Sequence, residues 1–126
     1  MQVNLSDSEW KLMNRLWDQS PRTIMELTAA LHPETGWSKN TVITMLSRLE
    51  AKGAVRYGEG GRAKRYFPAV AREDAALRET ESLLDRMYRG SVSLMVGALT
   101  KKQSLSREEI DALHALLDGL EADSDD

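Results

Sequence analysis

Apolar positions recur along most of the chain at intervals of three and four, the spacing of one helical face. Trp10, Met13 and Trp17 repeat this way, with Leu12 and Leu16 beside them, and predict a helix from about Asp7 to Asp18. Ser6 and Glu9 stand at capping-box spacing before it, and Leu5 and Trp10 at the spacing of a hydrophobic staple. Ser20-Pro21 breaks that helix. Thr23 caps a short second helix with Ile24, Leu27 and Leu31 facing inward, and residues 32–36 read as a loop. A third helix starts at the cap Ser38, turns Val42, Met45, Leu46 and Leu49 to one side, and ends before Gly53. The period then changes. Residues 54–57 and 62–67 read as two strands, with the turn at 58–61 and Pro68 as the stop. Three helices followed by a hairpin is the order of a winged helix-turn-helix.

From Ala71 the helical spacing returns. Ala76, Leu77, Thr80, Leu83, Leu84 and Met87 form a stripe that Gly90 interrupts. A fifth helix, Ser91 to about Lys102, is apolar on two sides: Val92, Met95, Val96 and Leu99 on one, Leu94 and Ala98 on the other. A sixth opens with a second capping box, Ser106 and Glu109, and carries Ile110, Leu113, Leu116, Leu117 and Leu120 before an acidic end, residues 122–126, expected to fray. The fold class expected is mainly α (α+β), with a winged helix-turn-helix at 1–70 and a three-helix dimerisation region at 71–126. The second region is too short to bury a two-sided helix within one chain. A partner copy would supply the missing surface, and a two-fold dimer is the default form. The expected dimer contacts are Leu83, Met87, Val92, Met95, Val96, Leu99, Ile110, Leu113 and Leu117.

Charge sharpens this division. The whole chain of 126 residues carries a formal charge of −3. Residues 1–70 hold ten Lys/Arg against seven Asp/Glu, and residues 71–126 hold seven against thirteen. Within 39–67 the count is seven basic to two acidic, an electrostatic footprint suited to phosphate. No apolar run approaches the roughly 18 residues of a membrane span. The polar start, Met1 to Asp7, lacks a signal pattern, so a cytoplasmic location is expected. There is no cysteine, which removes disulfides, thiolate metal sites and cysteine nucleophiles together.

No enzyme constellation emerges, and neither a cofactor nor a metal site is expected. His32 and His114 have no ligand or triad partner at a recognised spacing. Gly58-Glu59-Gly60-Gly61 lacks the Lys-Ser/Thr of a phosphate loop. Glu73-Asp74 and Glu108-Glu109 fall in first helical turns, where the helix dipole explains them. The third helix is more informative. A helix read by DNA offers the major groove short donors and acceptors with an occasional arginine, plus an apolar contact for a thymine methyl. Ser38, Lys39, Asn40, Thr41, Ile43, Thr44, Ser47 and Arg48 supply such a set. Arg62, Lys64 and Arg65 flank the glycine tip, where a wing meets phosphate. Two other readings compete: a solvated face on a winged-helix protein-interaction module, and charged hairpin edges that merely block aggregation.

Several blocks also carry a resemblance. Leu5 to Trp10, Met13 and Leu16-Trp17, then Trp37-Ser38, Thr41 to Leu46, Arg48-Leu49, Lys52-Gly53, Tyr88-Arg89-Gly90 and Leu105 to Ile110 together resemble the BlaI/MecI penicillinase-repressor family over about residues 5–120. The resemblance implies a homodimeric winged-helix repressor on a dyad operator, controlling β-lactamase or a resistant penicillin-binding protein. It also implies release by a membrane-bound sensor protease. Counted from Tyr88-Arg89-Gly90, the cleaved bond falls on Ala98-Leu99, where the best-known members carry Asn-Phe. Ile43 likewise stands where those members have a basic residue. The copper-responsive branch has a cysteine-rich tail, which this chain lacks.

Overall fold

A computed structural model describes residues 4–59, 61–102 and 104–124; of Glu59 and Ser124 it describes the backbone. The elements in order are α1 (Asp7–Asp18), α2 (Ile24–Thr35), α3 (Lys39–Ala51), β1 (Val55–Glu59), β2 (Lys64–Pro68), α4 (Arg72–Tyr88), α5 (Val92–Lys102) and α6 (Arg107–Ser124). They fall into two compact units, residues 1–80 and 81–126. The division lies inside α4, beyond the expected boundary at 70/71, because Ala75 in the first turns of α4 is buried with the core of the first unit.

The starts of α1, α2 and α3 are capped by side chains, which satisfy amide groups that the helix itself leaves open. At α1 the Glu9 amide donates to Ser6 Oγ (3.2 Å) and the Ser6 amide to Glu9 Oε1 (2.8 Å). Thr23 and Glu26 repeat this reciprocal box at α2. Ser38 caps α3 by accepting from the Thr41 amide at 3.3 Å. The inward faces then meet. Leu12, Met13 and Leu16 of α1, Leu27 and Leu31 of α2, and Val42, Leu46 and Leu49 of α3 are sealed from solvent, with Val55 and Tyr66 closing the core from the hairpin. Each such side chain contributes about 1.5–3 kcal/mol by leaving water. Trp10 and Trp17 stack at 5.6 Å at the edge, and Trp17 Nε1 donates to the Val70 carbonyl at 3.0 Å.

Two expectations are corrected. Residues 32–35 are not loop: α2 continues through Pro33 to Thr35. Proline forfeits only its own N–H bond there. Fully buried Leu31 anchors the last turn, and Gly36, at φ +66°, closes it by donating to the His32 carbonyl at 2.9 Å. The hairpin turn also lies further along. β1 runs through Gly58 and Glu59, which pair with Arg65 and Lys64, so Arg62 and Ala63 belong to the turn and not to a strand; Gly60 lies outside the described residues. Register decides this. Val55 and Tyr66 must face the core together, and a one-residue slip would turn every side chain to the other face. Arg22 adds a third edge by exchanging backbone hydrogen bonds with Tyr66 at 3.1 and 2.8 Å.

In the second unit α4 ends at Tyr88, Arg89 and Gly90 take positive φ values of 51° and 81°, and α5 and α6 follow. Ser106 Oγ accepts from the Glu109 amide at 3.1 Å. α6 extends to Ser124, past the expected fraying point at Ala122; residues 125 and 126 lie outside the described residues. No residue of 81–123 whose side chain is described is buried.

Candidate nucleic-acid interface

With Val42, Met45, Leu46 and Leu49 committed to the core, α3 turns the rest of its sequence outward. Lys39, Asn40, Thr41, Ile43, Thr44, Ser47 and Arg48 are all exposed. Ser38 is exposed too, but its hydroxyl caps the helix and lies 3.2 Å from Thr41 Oγ1. Thr44 Oγ1 donates back to the Asn40 carbonyl at 3.0 Å. Among the described residues, the side chains of Lys39, Asn40, Ser47 and Arg48 have no hydrogen-bond or ion-pair partner. The helix dipole favours carboxylates at an N-terminus. α1, α2, α4 and α6 follow that preference in their first turns; α3 and α5 do not, and α3 places Lys39 there. The start of α3 is therefore a concentrated, uncompensated positive end.

The C-terminal end of α3 is tied down by a charge pair. Lys52 Nζ donates to Glu9 Oε1 and to the Asn4 carbonyl at 2.8 Å. Glu9 is only 2% exposed. Burial pushes its carboxyl up, but hydrogen bonds from Lys52 and from the Ser6 amide and hydroxyl, with the Lys52 charge, outweigh that and hold it below its ordinary 4.5. The first helix thus locks the far end of α3 while the near end stays open.

The hairpin cations do not act as one group. Residues alternate faces along a strand, so Lys64 shares a face with Tyr57 and Tyr66, while Arg65 shares the other with Arg56 and Phe67. Lys64 Nζ sits 4.3 Å over the Tyr57 ring, and the Arg56 guanidinium 4.4 Å over Phe67. Arg62 sits at the turn, exposed. Arg65 contributes to the lowered carboxyl of Glu26, after the hydrogen bonds from the Thr23 amide and hydroxyl, which have the larger effect. A groove of about 200 Å³ joins the elements: Thr23, Ile24 and Met25 at the start of α2, Lys39 of α3, and Ala63 and Lys64 of the hairpin. Arg22, Met25 and Arg56 were not among the sequence-derived candidates. The Thr23-to-Glu26 spacing and the position of Arg56 opposite the future return strand were the available signals.

Of the expected dimer contacts, Leu83, Met95, Val96 and Ile110 are half-buried, while Met87, Val92, Leu99, Leu113 and Leu117 are exposed. Ala98 and Leu99, the expected cleavage pair, are exposed within α5. Among the described residues no cluster of His, Cys, Asp or Glu is arranged to hold a metal, and no helix is long and apolar enough to cross a membrane.

Comparison with known proteins matches this geometry. The chain is similar to the penicillinase repressor of Bacillus licheniformis, 33% identical over 90% of this chain and 89% of that one. It is also similar to the methicillin resistance regulatory protein MecI of Staphylococcus aureus strain N315, 24% identical over 90% and 92%. Among solved structures, the monomeric form of Bacillus licheniformis BlaI in complex with the blaP half-operator superposes with a TM-score of 0.51 at 34% identity, covering 56% of this chain and 87% of that one. The penicillinase repressor family profile matches residues 5–119. A winged helix-turn-helix with an open, cationic third helix, matched over nearly its whole length, belongs to the penicillinase repressor family.

Proposed function

We propose that this DNA-binding transcriptional repressor acts as a homodimer on a dyad operator, with α3 in the major groove and the hairpin on the phosphate backbone. The observation that carries the reading is the open face of α3, where the side chains of Lys39, Asn40, Ser47 and Arg48 have no partner among the described residues and Lys39 shares a groove with Lys64 of the hairpin. Lys39, Arg62, Lys64 and Arg65 take phosphates. Asn40, Thr44 and Ser47 face base edges and Arg48 reaches a base or a phosphate, with Ser38 and Thr41 holding the helix start. The half-operator complex of the related BlaI supports this docking. The relatives' names support a target among β-lactam resistance genes.

Dimerisation rests on the open apolar surface of residues 81–123, which includes Met87, Val92, Leu99, Leu113 and Leu117. Two heads held about one DNA turn apart gain affinity by linkage. Cutting α5 between Ala98 and Leu99 would remove that gain. A membrane-bound sensor protease acting on this cytoplasmic protein is the inducer consistent with the family.

Gel-shift binding to the DNA upstream of the chain's own gene, against a scrambled duplex, tests the reading. Arg62→Ala or Lys64→Ala should weaken all duplexes alike and lower the log–log salt slope by about 0.9 per lost contact. Asn40→Ala should instead change sequence preference, by roughly 1–3 kcal/mol. The reverse pattern would exchange the two roles. A specific protease site inserted at 98–99 tests release, and a cut dimer that keeps full affinity removes proteolysis as the inducer.

A further inference from the structure

The open face of α3 carries one large apolar side chain that the core does not use. Ile43 is 37% exposed, and no other large apolar residue of α3 is exposed. Helical spacing puts it between Asn40 one turn before and Ser47 one turn after, with Thr44 beside it. A single exposed hydrophobe is ordinary on a protein surface. This one is set on a face where the side chains of Asn40, Ser47 and Arg48 have no partner among the described residues, one turn from a positive helix end that carries no acidic residue.

In the major groove only thymine among the four bases presents a methyl group, at C5, next to its O4 acceptor. An isoleucine has neither donor nor acceptor. Against the amino group of cytosine or adenine it would strip water and return nothing, whereas against a methyl it removes apolar surface from water on both sides. Resting on the repressor reading above, we propose that Ile43 is a specificity-determining residue that reads the 5-methyl group of one thymine in each half-site. Asn40 and Ser47 set the register in which that contact is made. A second methyl, one residue on, belongs to Thr44, whose hydroxyl is bonded to the Asn40 carbonyl.

The DNA upstream of the chain's own gene, amplified once with thymidine and once with deoxyuridine triphosphate, differs only in these methyl groups. Binding of the wild type, Ile43→Ala and Thr44→Ser to both fragments, and to a scrambled fragment, tests the proposal. The wild type should bind the uracil fragment about four-fold more weakly per half-site, the value of one methyl-sized apolar contact. Ile43→Ala should bind both fragments equally, and Thr44→Ser should keep the wild-type preference. Equal wild-type binding to the thymine and uracil fragments, with both above the scrambled one, overturns the role of Ile43 and leaves the repressor reading standing. So does a preference that survives Ile43→Ala or vanishes in Thr44→Ser. Binding no better than to the scrambled fragment overturns both.

Discussion

In the first unit the apolar stripes of α1, α2 and α3 meet one another, and Leu12, Leu16, Leu27, Leu31 and Leu49 are sealed from water. In the second unit stripes of the same chemistry stay open. Leu94, Leu99, Leu116, Leu117 and Leu120 each keep more than half of their surface exposed. The difference is not one of composition or helix propensity. Three helices and a hairpin surround a common centre in the first unit, and each apolar face finds another. In the second unit the stripes find no such closure, and no residue whose side chain is described there is buried. It is this open surface that the proposed dimer would cover.

The strongest way to break this contrast is to charge the open stripe. Leu113→Asp should leave the first unit folded, yield monomers by sedimentation at micromolar concentration, and weaken operator binding at least 100-fold as the linkage between heads is lost. Wild-type sedimentation as a monomer would show the open surface to be unused between copies. A paired truncation sharpens the contrast. Leu46→Ala should cost about 2–5 kcal/mol at any protein concentration, because it opens a cavity within one chain. Leu117→Ala should lower the unfolding midpoint only where dimers form, and its effect should fade on dilution.

A smaller effect, confined to the first unit, is expected at the Glu9–Lys52 pair. Glu9→Gln should cost about 1–3 kcal/mol by weakening a charged hydrogen bond at a buried site. The pH dependence has a definite sign. The folded carboxyl titrates below 4.5, so its stabilisation is present above that value and is lost as pH falls through the folded one. The thermal midpoint of the wild type should therefore drop more than that of Glu9→Gln on acidification from about pH 6 to about pH 3. The smallest effect is at the α2 cap, where Thr23→Ala should cost about 1 kcal/mol by thermal unfolding and leave the oligomeric state unchanged.

Local chemistry made much of the first unit legible in advance. The Ser6 and Thr23 caps, the inward faces of α1 to α3 and the change of period at the hairpin all rest on neighbours within four residues or on periodicity, and such features survive translation into sequence pattern. The end of α2 did not, because Pro33 signals a break locally while a buried Leu31 and a left-handed Gly36 hold the helix from outside that window. The hairpin turn was misplaced for the same reason. Its register is set by which residues the core accepts, Val55 and Tyr66, and not by the glycines at its tip.

The candidate interface divides in the same way. Sequence alone determined that α3 would present Asn40, Ile43, Thr44, Ser47 and Arg48 on one side, since a helix with four apolar residues inward leaves no other place for them. Only the tertiary structure decided that Lys64 joins Lys39 and the start of α2 around one groove while Arg65 turns to the opposite face of the hairpin. It also decided that Glu9, a capping residue by spacing, is a buried anchor for Lys52 at the end of α3. The physical reason is distance along the chain. Contacts between residues 9 and 52, or 39 and 64, depend on how whole elements pack, and no local pattern encodes them.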